Sequence, residues 1–201
     1  YDGNIIGNLN QNSNHKQYII DYILNLYLQY GNTKYDKNGS QIQHAFTVMD
    51  CAIKNNYSEK FQLTCFLHDI GHLLLNEHSD NPDFLKTDLK HEKIAYDFLN
   101  KYLPNNITEP ILMHVQAKRY LCSTNFTNTY YNNLSNASKK SFEIQGGKMS
   151  SNTLRNFERH KYFKEAVKLR QYEDNSKNLK LDTVIVNMKY IDNLLSKFIT
   201  I

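Results

Sequence analysis

The sequence predicts an all-α fold, and three observations support this. Only three prolines and seven glycines interrupt 201 residues, which favours long helices over many short strands. Apolar residues recur in segment after segment at the period of an amphipathic helix. No segment alternates as a half-buried strand does, and no internal repeat or interdomain linker is present. We therefore predict a single irregular helical bundle.

Composition narrows the class of protein. Hydrophobic residues make up 40% and charged residues 22%, which is typical of a folded chain. Mean hydropathy is -0.64, and no apolar stretch approaches the ~18–20 residues of a bilayer span, so no membrane partner is expected. The formal net charge of +4 is too small to predict a nucleic-acid partner but suits a small anionic substrate. Three cysteines without paired spacing favour a cytoplasmic location.

The first elements follow from local composition. Residues 1–16 are rich in Asn and are expected to form a flexible lead-in to one domain, residues 17–201. Because the chain begins with Tyr rather than Met, a segment is expected to have preceded it. An apolar stripe predicts a helix over 17–30 that stops at Gly31. Residues 31–40 have the composition of a turn.

Two more helices are predicted before residue 70. Apolar residues from Ile42 to Ile53 repeat at helical spacing. Ser58 is suited to cap the next helix, which ends at His68 and Asp69 just before a glycine. These two polar residues therefore follow directly on a buried apolar run.

The middle of the chain predicts a loop and two helices. Residues 76–88 are polar, and the stripe that begins at His91 ends at Pro104. Thr108 is expected to cap the following helix, with Pro110 tolerated in its first turn.

The last third is less regular until its final helices. Residues 120–150 are rich in Tyr, Asn and Ser, and we predict a long loop with short helical turns. Apolar residues then predict a helix over 163–177 and a terminal helix over 184–198.

Four of the eight histidines lie inside predicted helices, at or near the core side. Any one of them alone is best interpreted as a hydrogen-bonded core histidine. Four together with an adjacent carboxylate favour a metal site, because burying them unpaired would cost several kcal/mol. The residues are His44, His68, His91 and His114, with Asp69. A carboxylate at a helix end beside a ligand histidine is suited to bridge two ions.

A later carboxylate is expected to complete the site. Glu173 and Asp174 are adjacent, and either one can share a helical face with Arg170. A solvated acidic pair is the alternative interpretation, which the apolar run before it disfavours. The choice between the two carboxylates stays open.

Four segments resemble a known family over roughly residues 35–180. His44 with the later His68–Asp69 pair is similar to the signature of HD-domain metal-dependent phosphohydrolases. The fuller pattern more closely resembles the mixed-valence di-iron oxygenases related to myo-inositol oxygenase, in their organophosphonate-cleaving branch. The segments are LHDIGHLL, HVQAKRYLC, LSNASKKSFEIQGG and AVKLRQYEDNSK. The resemblance implies a single all-α HD-domain bundle.

The resemblance also implies a cofactor and its ligands. Two iron ions, Fe(II) and Fe(III), would use O2 as co-substrate. The first iron would be held by His44, His68, Asp69 and either Glu173 or Asp174. The second would be held by Asp69 as a bridge, His91 and His114.

Substrate contacts are implied in the same way. His72, Lys118, Ser138 and Arg170 would contact the phosphonate, with His72 and Lys118 also acting in catalysis. Tyr35 is also implied to bind the substrate, and it lies where the family has a tyrosine that, with a glutamate, fills the open iron position in the resting site. Asn38 stands in place of that glutamate and cannot act as a carboxylate.

The implied reaction is oxidative cleavage of the C–P bond of a small 1-hydroxyphosphonate, giving inorganic phosphate and a carboxylic acid. The principal alternative is an HD phosphohydrolase acting on a nucleotide or phosphate monoester, with metal ions that generate hydroxide. An oxygenase of a cyclitol and a non-catalytic HD domain are further alternatives. Dependence on O2 separates the oxygenases from the hydrolase.

Overall fold

A computed structural model describes residues 3–36, 39–76, 86–124, 127–177 and 187–201. It is an all-α bundle, which confirms the predicted fold class. The helices are α1 Gly3–Tyr30, α2 Gln41–Lys54, α3 Glu59–Leu67, α4 Ile70–Leu74, α5 His91–Leu99, α6 Asn105–Thr124, α7 Thr129–Asn133, α8 Asn136–Ile144, α9 Ser151–Glu158, α10 Phe163–Ser176 and α11 Met188–Phe198. Strands β1, Lys34–Asp36, and β2, Gly39–Ser40, form a small antiparallel pair inside the predicted turn.

Helix α1 begins earlier than the sequence predicts. Residues 3–16, expected to form a lead-in without regular structure, belong to the same helix as the apolar stripe that follows. Their Asn-rich composition has no apolar period, so the pattern cannot reveal a helix that continues outward from a buried segment. The domain boundary at residue 17 remains a prediction.

Helix α6 also departs from the prediction. It begins at Asn105, so Pro110 lies inside the helix rather than in its first turn. Thr108 does not cap the helix, and its hydroxyl instead donates to Asn100 Oδ1 at 3.2 Å. Packing against neighbouring helices stabilises this segment despite the backbone hydrogen bond that proline cannot make.

The 120–150 stretch is more helical than a loop. Its beginning continues α6, and α7 and α8 occupy much of the remainder. Ser135 caps α8, with its hydroxyl accepting from the Ser138 amide at 3.2 Å. Residues 184–186 of the predicted terminal helix, and 77–85 of the predicted polar loop, lie outside the described residues.

The main core surrounds α3, whose apolar residues are buried on every side. Phe66, Leu63 and Leu67 have no exposed surface, and the Tyr27 hydroxyl donates to the Phe66 carbonyl at 3.0 Å. The elements that pack around this core are α1, α2, α4, α5, α6, α10 and α11. Searched over the described residues, the helices include none with the length and apolar character of a bilayer span.

Candidate active site

Six of the predicted ligands, each from a different helical element, converge at the centre of the bundle. His68 is the C-terminal cap residue of α3, and Asp69 is the N-terminal cap residue of α4. The others lie on α2 (His44), on α6 (His114), at the first residue of α5 (His91) and on α10 (Glu173). All six side chains are buried. The break between α3 and α4 therefore delivers two adjacent polar groups into an apolar interior.

Asp69 lies between two pairs of imidazoles. Its Oδ2 is 3.1 Å from His68 Nε2 and 3.5 Å from His44 Nε2. Its Oδ1 is 3.4 Å from His91 Nε2 and 3.5 Å from His114 Nε2. Each carboxylate oxygen thus faces its own histidine pair, which is the arrangement a bridging carboxylate requires.

Contacts made by the outer ring nitrogen, Nδ1, orient the inner nitrogen, Nε2, of three histidines. His68 Nδ1–H donates to the Cys65 carbonyl at 2.8 Å, and His114 Nδ1–H donates to the Ile111 carbonyl at 2.6 Å. His44 Nδ1 lies 3.5 Å from Ser176 Oγ. With the proton on Nδ1, the Nε2 lone pair points at Asp69, as in a metal-ligating histidine.

The close approach of the imidazoles is compatible with a cation between them. His44 Nε2 and His68 Nε2 are 3.3 Å apart, and His91 Nε2 and His114 Nε2 are 3.1 Å apart. Two lone pairs facing each other beside a carboxylate oxygen repel unless a proton or a metal ion lies near them. Imidazole and carboxylate donors suit non-haem iron and related transition metals. The donor set therefore fits a pair of metal ions, one on each side of Asp69.

Glu173 and Asp174 have different surroundings. Glu173 groups with His44 and His68, with one potential ligand atom from each lying within 4.8 Å of the others. Its Oε1 accepts from Arg170 Nη1 at 2.8 Å. Asp174 instead pairs with the Arg170 guanidinium and accepts from the Tyr130 hydroxyl. Of the two open candidates, the structure thus brings only Glu173 to the histidines.

Two of the imidazoles and the Asp69 carboxylate have the charge states that metal binding requires near neutral pH. Burial opposes the charged form of His68, but Asp69 and Glu173 outweigh that effect, so the pKa of His68 is instead raised. Burial, with the neighbouring His72 ring, lowers the pKa of His91 to about 3, and burial also lowers the pKa of His44. Both rings are therefore neutral and available as ligands. Burial opposes ionisation of Asp69, but its contacts with His68 and His114 outweigh that effect and hold its pKa well below the usual range. The carboxylate is therefore charged.

Gly71 sets the spacing between α4 and the start of α5. A Cβ built on it would lie 1.9 Å from the His91 carbonyl oxygen. Only glycine permits this approach of two backbones. Just before His91, Lys90 adopts a left-handed conformation with φ of 54°, and its amide donates to Asp88 Oδ1 at 3.0 Å. This turn directs the His91 side chain into the centre.

A cavity of about 740 Å³, including space open to solvent, adjoins Asp69 on the side of His91 and His114. The implied substrate residues His72, Lys118, Ser138 and Arg170 all line it. Lys118 Nζ donates to Ser141 Oγ at 2.7 Å. Burial, with the nearby Arg170 charge, lowers the pKa of Lys118 to about 7. The cavity thus combines a metal-ligand cluster at its base with cationic and hydroxyl donors on its walls.

His72 lies closer to the ligand cluster than its implied role suggests. Its ring stacks on His91 with centroids 3.9 Å apart, and its Nε2 is 3.8 Å from Asp69 Oδ1. One potential ligand atom each from Asp69, His72 and His91 forms a second group within 4.8 Å. The side chain of Tyr35, in β1, and the whole of Asn38 lie outside the described part of the chain.

Lys177 lines the cavity, although the sequence reasoning assigned it no role. Its Nζ donates to Ser138 Oγ at 2.9 Å and lies 3.9 Å from Asp174 Oδ1. The available signal was its position four residues after Glu173, on the same face of α10.

Arg119 joins two of the motifs that carry the family resemblance. Its Nε donates to the Gly147 carbonyl at 2.9 Å, and its Nη2 donates to the Gly146 carbonyl at 3.2 Å. Both glycines have positive φ at the end of α8. The contact holds α8, with its cavity-lining serines, against α6 and Lys118.

Comparison with known proteins agrees with this geometry. The chain is 38% identical over 156 residues to hydroxymethylphosphonate dioxygenase of Gimesia maris, which covers 77% of the chain and 76% of that protein. It is 29% identical over 166 residues to the glycine-betaine-forming [1-hydroxy-2-(trimethylamino)ethyl]phosphonate dioxygenase of Leisingera caerulea, covering 82% of the chain and 83% of that protein. The chain belongs to the HD-domain oxygenase family, in its organophosphonate-cleaving branch. The predicted family and enzyme class, an oxygenase, are confirmed.

A further member of this set of similar proteins comes from a virus. An uncharacterised protein of Acanthamoeba polyphaga mimivirus is 34% identical over 197 residues, which covers 94% of this HD-domain oxygenase and 86% of the viral protein. No family model matches the chain.

Proposed function

We propose that the protein is a di-iron dioxygenase that cleaves the C–P bond of a small 1-hydroxyphosphonate. The observation that carries the proposal is Asp69, whose two oxygens each face a separate pair of buried imidazoles beside a cationic cavity. The similar dioxygenases from Gimesia maris and Leisingera caerulea support a phosphonate as the substrate.

The overall reaction balances without an external reductant. A 1-hydroxyphosphonate, RCH(OH)PO3H2, and one O2 give RCOOH and H3PO4. The C–P and C–H bonds of the substrate break, and its carbon is oxidised by the four electrons that O2 accepts. The bound iron ions would supply the redox chemistry with O2 that protein side chains cannot provide.

We assign the ligands from the site geometry. His44, His68 and Glu173 would hold the first ion, His91 and His114 would hold the second, and Asp69 would contribute to both sites. The distances of 3.1–3.5 Å from Asp69 oxygens to the imidazole nitrogens support this division. Asp174 serves instead to hold the Arg170 guanidinium, with which it forms an ion pair.

The phosphonate is bound by the cavity wall. Lys118, Arg170 and Lys177 supply positive charge, and Ser138 and Ser141 supply hydroxyl groups. Two of the five Arg170 N–H groups contact Glu173 and Asp174, and a third, on Nε, lies near Asp174 and the Tyr130 hydroxyl. The remaining two suit an anionic oxygen. His72 lines the same cavity with its Nε2 3.8 Å from Asp69 Oδ1, and we assign this ring a role in catalysis.

The protein is proposed to act in the cytosol. All three cysteines are free and buried, which suits a reducing compartment.

Phosphate release and O2 uptake, followed together, test the proposed function. We expect the iron-loaded enzyme with hydroxymethylphosphonate to release one phosphate for each O2 consumed and to release none under strict anaerobiosis. Phosphate release that is indifferent to O2, with this compound or with phosphate monoesters, would instead identify a hydrolase. Each reaction is compared with Lys118→Met, which keeps the assigned metal ligands.

A further inference from the structure

Glu92 is a partly buried carboxylate that the proposed chemistry leaves unused. It follows His91 in the first turn of α5. Its Oε2 is buried and accepts no hydrogen bond from the described residues. A buried carboxylate oxygen without a donor is costly, so its presence calls for a partner.

The nearest partner is the outer nitrogen of a ligand histidine. His91 Nδ1 lies 3.6 Å from Glu92 Oε2, slightly beyond hydrogen-bond distance. The same imidazole presents its Nε2 to Asp69 at 3.4 Å. The ring is therefore held between one carboxylate on the metal side and another on the far side.

The outer nitrogens of the other three histidines have partners of a different kind. Their outer nitrogens face the Cys65 carbonyl, the Ile111 carbonyl and the Ser176 hydroxyl, all of which are neutral groups. His91 alone among the four faces a carboxylate in the described part of the structure. Metal-ligating histidines characteristically donate their second N–H to a group of this kind, which orients the ring and raises its basicity.

The two sides of Asp69 differ in negative charge, which is a second argument for a role of Glu92 in metal binding. The His44–His68 side has a carboxylate of its own, Glu173. The His91–His114 side shares Asp69, and the described residues that group there add only His72. A divalent cation bound by imidazoles and one shared carboxylate would keep an excess positive charge in a buried place. Glu92 offsets that charge.

We propose that Glu92 is the positioning residue of the second metal ion, accepting a hydrogen bond from His91 Nδ1–H and balancing the charge of the cation on Nε2. The inference rests on the proposed two-metal function. It assigns to Glu92 no contact with the substrate and no direct contact with the ion.

Metal affinity and stability, measured on the same variants, test this inference. Fe(II) affinity is measured anaerobically on the full chain by competition with a chromophoric chelator. We expect Glu92→Ala to weaken one of the two binding steps about 10–100-fold and to leave the other unchanged. Glu92→Gln keeps an acceptor without the charge and should fall between Glu92→Ala and the wild type.

The unfolding temperature separates a positioning role from a structural one. Glu92 also lies where a negative charge favours the helix dipole of α5, so a purely structural role would lower the unfolding temperature of the metal-free protein. We expect the metal-free variants to unfold at or above the wild-type temperature and to gain less from added Fe(II). The matched control is Asp97→Asn on the same helix, where an exposed carboxylate pairs with Lys93 at 2.7 Å.

Two results would overturn the inference. One is wild-type affinity for both ions in Glu92→Ala, and the other is an equal loss of stability with and without metal. A wild-type protein that binds two ions but releases no phosphate in the presence of O2 would refute the proposed function and leave this inference standing.

Discussion

The Asp69 carboxylate divides the site into two halves. The two halves differ in the position of their second carboxylate. On one side Glu173 joins His44 and His68. On the other side, Glu92 faces the outer edge of His91, with its Oε2 3.6 Å from the His91 Nδ1. Individual side chains are therefore expected to set how firmly each half holds its ion.

The adjacent carboxylates of α10 provide the first prediction. Glu173→Gln keeps the shape of the side chain and removes its charge, so we expect the protein to bind one iron ion fewer. Asp174→Asn should keep both ions, because Asp174 pairs with Arg170 and Tyr130 rather than with the histidines. Iron content per chain of the purified variants measures this. Loss of an ion in Asp174→Asn and retention in Glu173→Gln would reverse the assignment.

Lys118 provides a pH-dependent prediction. Its pKa of about 7 means that it is charged below pH 7 and becomes neutral as the pH rises above that value. Anaerobic calorimetry with hydroxymethylphosphonate should show wild-type affinity falling as the pH rises from 6.5 to about 8.5. Lys118→Met should bind about 10–100-fold more weakly at pH 6.5, the cost of a lost charged hydrogen bond.

The Lys118→Met variant also serves as the control for the titration of hydroxymethylphosphonate itself. The phosphonate gains negative charge over the same pH range in both experiments, so the difference between the two profiles isolates Lys118. Parallel profiles for the wild type and Lys118→Met would show that Lys118 does not contribute a titrating charge to binding.

Among the secondary-structure elements, the contact between α4 and α5 controls the second half of the site. Gly71 allows α4 to reach the His91 backbone, and the left-handed Lys90 turns the chain into α5. A larger residue at position 71 would clash with backbone atoms of His91. A backbone cannot move aside as the end of a flexible side chain can. The position of the imidazole therefore depends on the absence of one methyl group.

Gly71→Ala is expected to displace α5 and His91. Overpacking of this kind costs about 1–3 kcal/mol in the free energy of unfolding, and we expect one iron ion to be lost with it. The control is Gly147→Ala, where φ of 58° brings strain but the nearest atom to the added Cβ is Glu143 Oε2 at 3.6 Å. Thermal unfolding and iron content measure both variants. A destabilised Gly71→Ala with two ions bound would contradict this role of the contact.

At the scale of the whole molecule, helical periodicity predicts most of the bundle. The buried stripes of α2, α3, α10 and α11 are long enough to be recognised, and they carry or surround the predicted ligands. Periodicity fails where a helix is polar or where packing overrides local preference. Residues 3–16 illustrate the first case and Pro110 the second.

The sequence also predicted which of the candidate site residues lie close together, although their roles stay predictions. Four histidines in apolar stripes, with Asp69 after one of them, identify the residues that meet in space. Sequence spacing could not choose between Glu173 and Asp174, because either one can share a helical face with Arg170. The rotation of α10 that directs only Glu173 at the histidines depends on packing, including the contacts with Arg170 and Tyr130. The sequence alone assigns no site role to Glu92 or Lys177, because a charged residue on an amphipathic helix is ordinarily a surface residue.

The most direct test of the central idea is anomalous scattering at the iron edge from crystals of the iron-loaded protein. We expect two iron peaks, one beside His44 and His68 and one beside His91 and His114, with one oxygen of Asp69 contacting each. A single peak, or two peaks of which Asp69 contacts only one, would contradict the two-metal account.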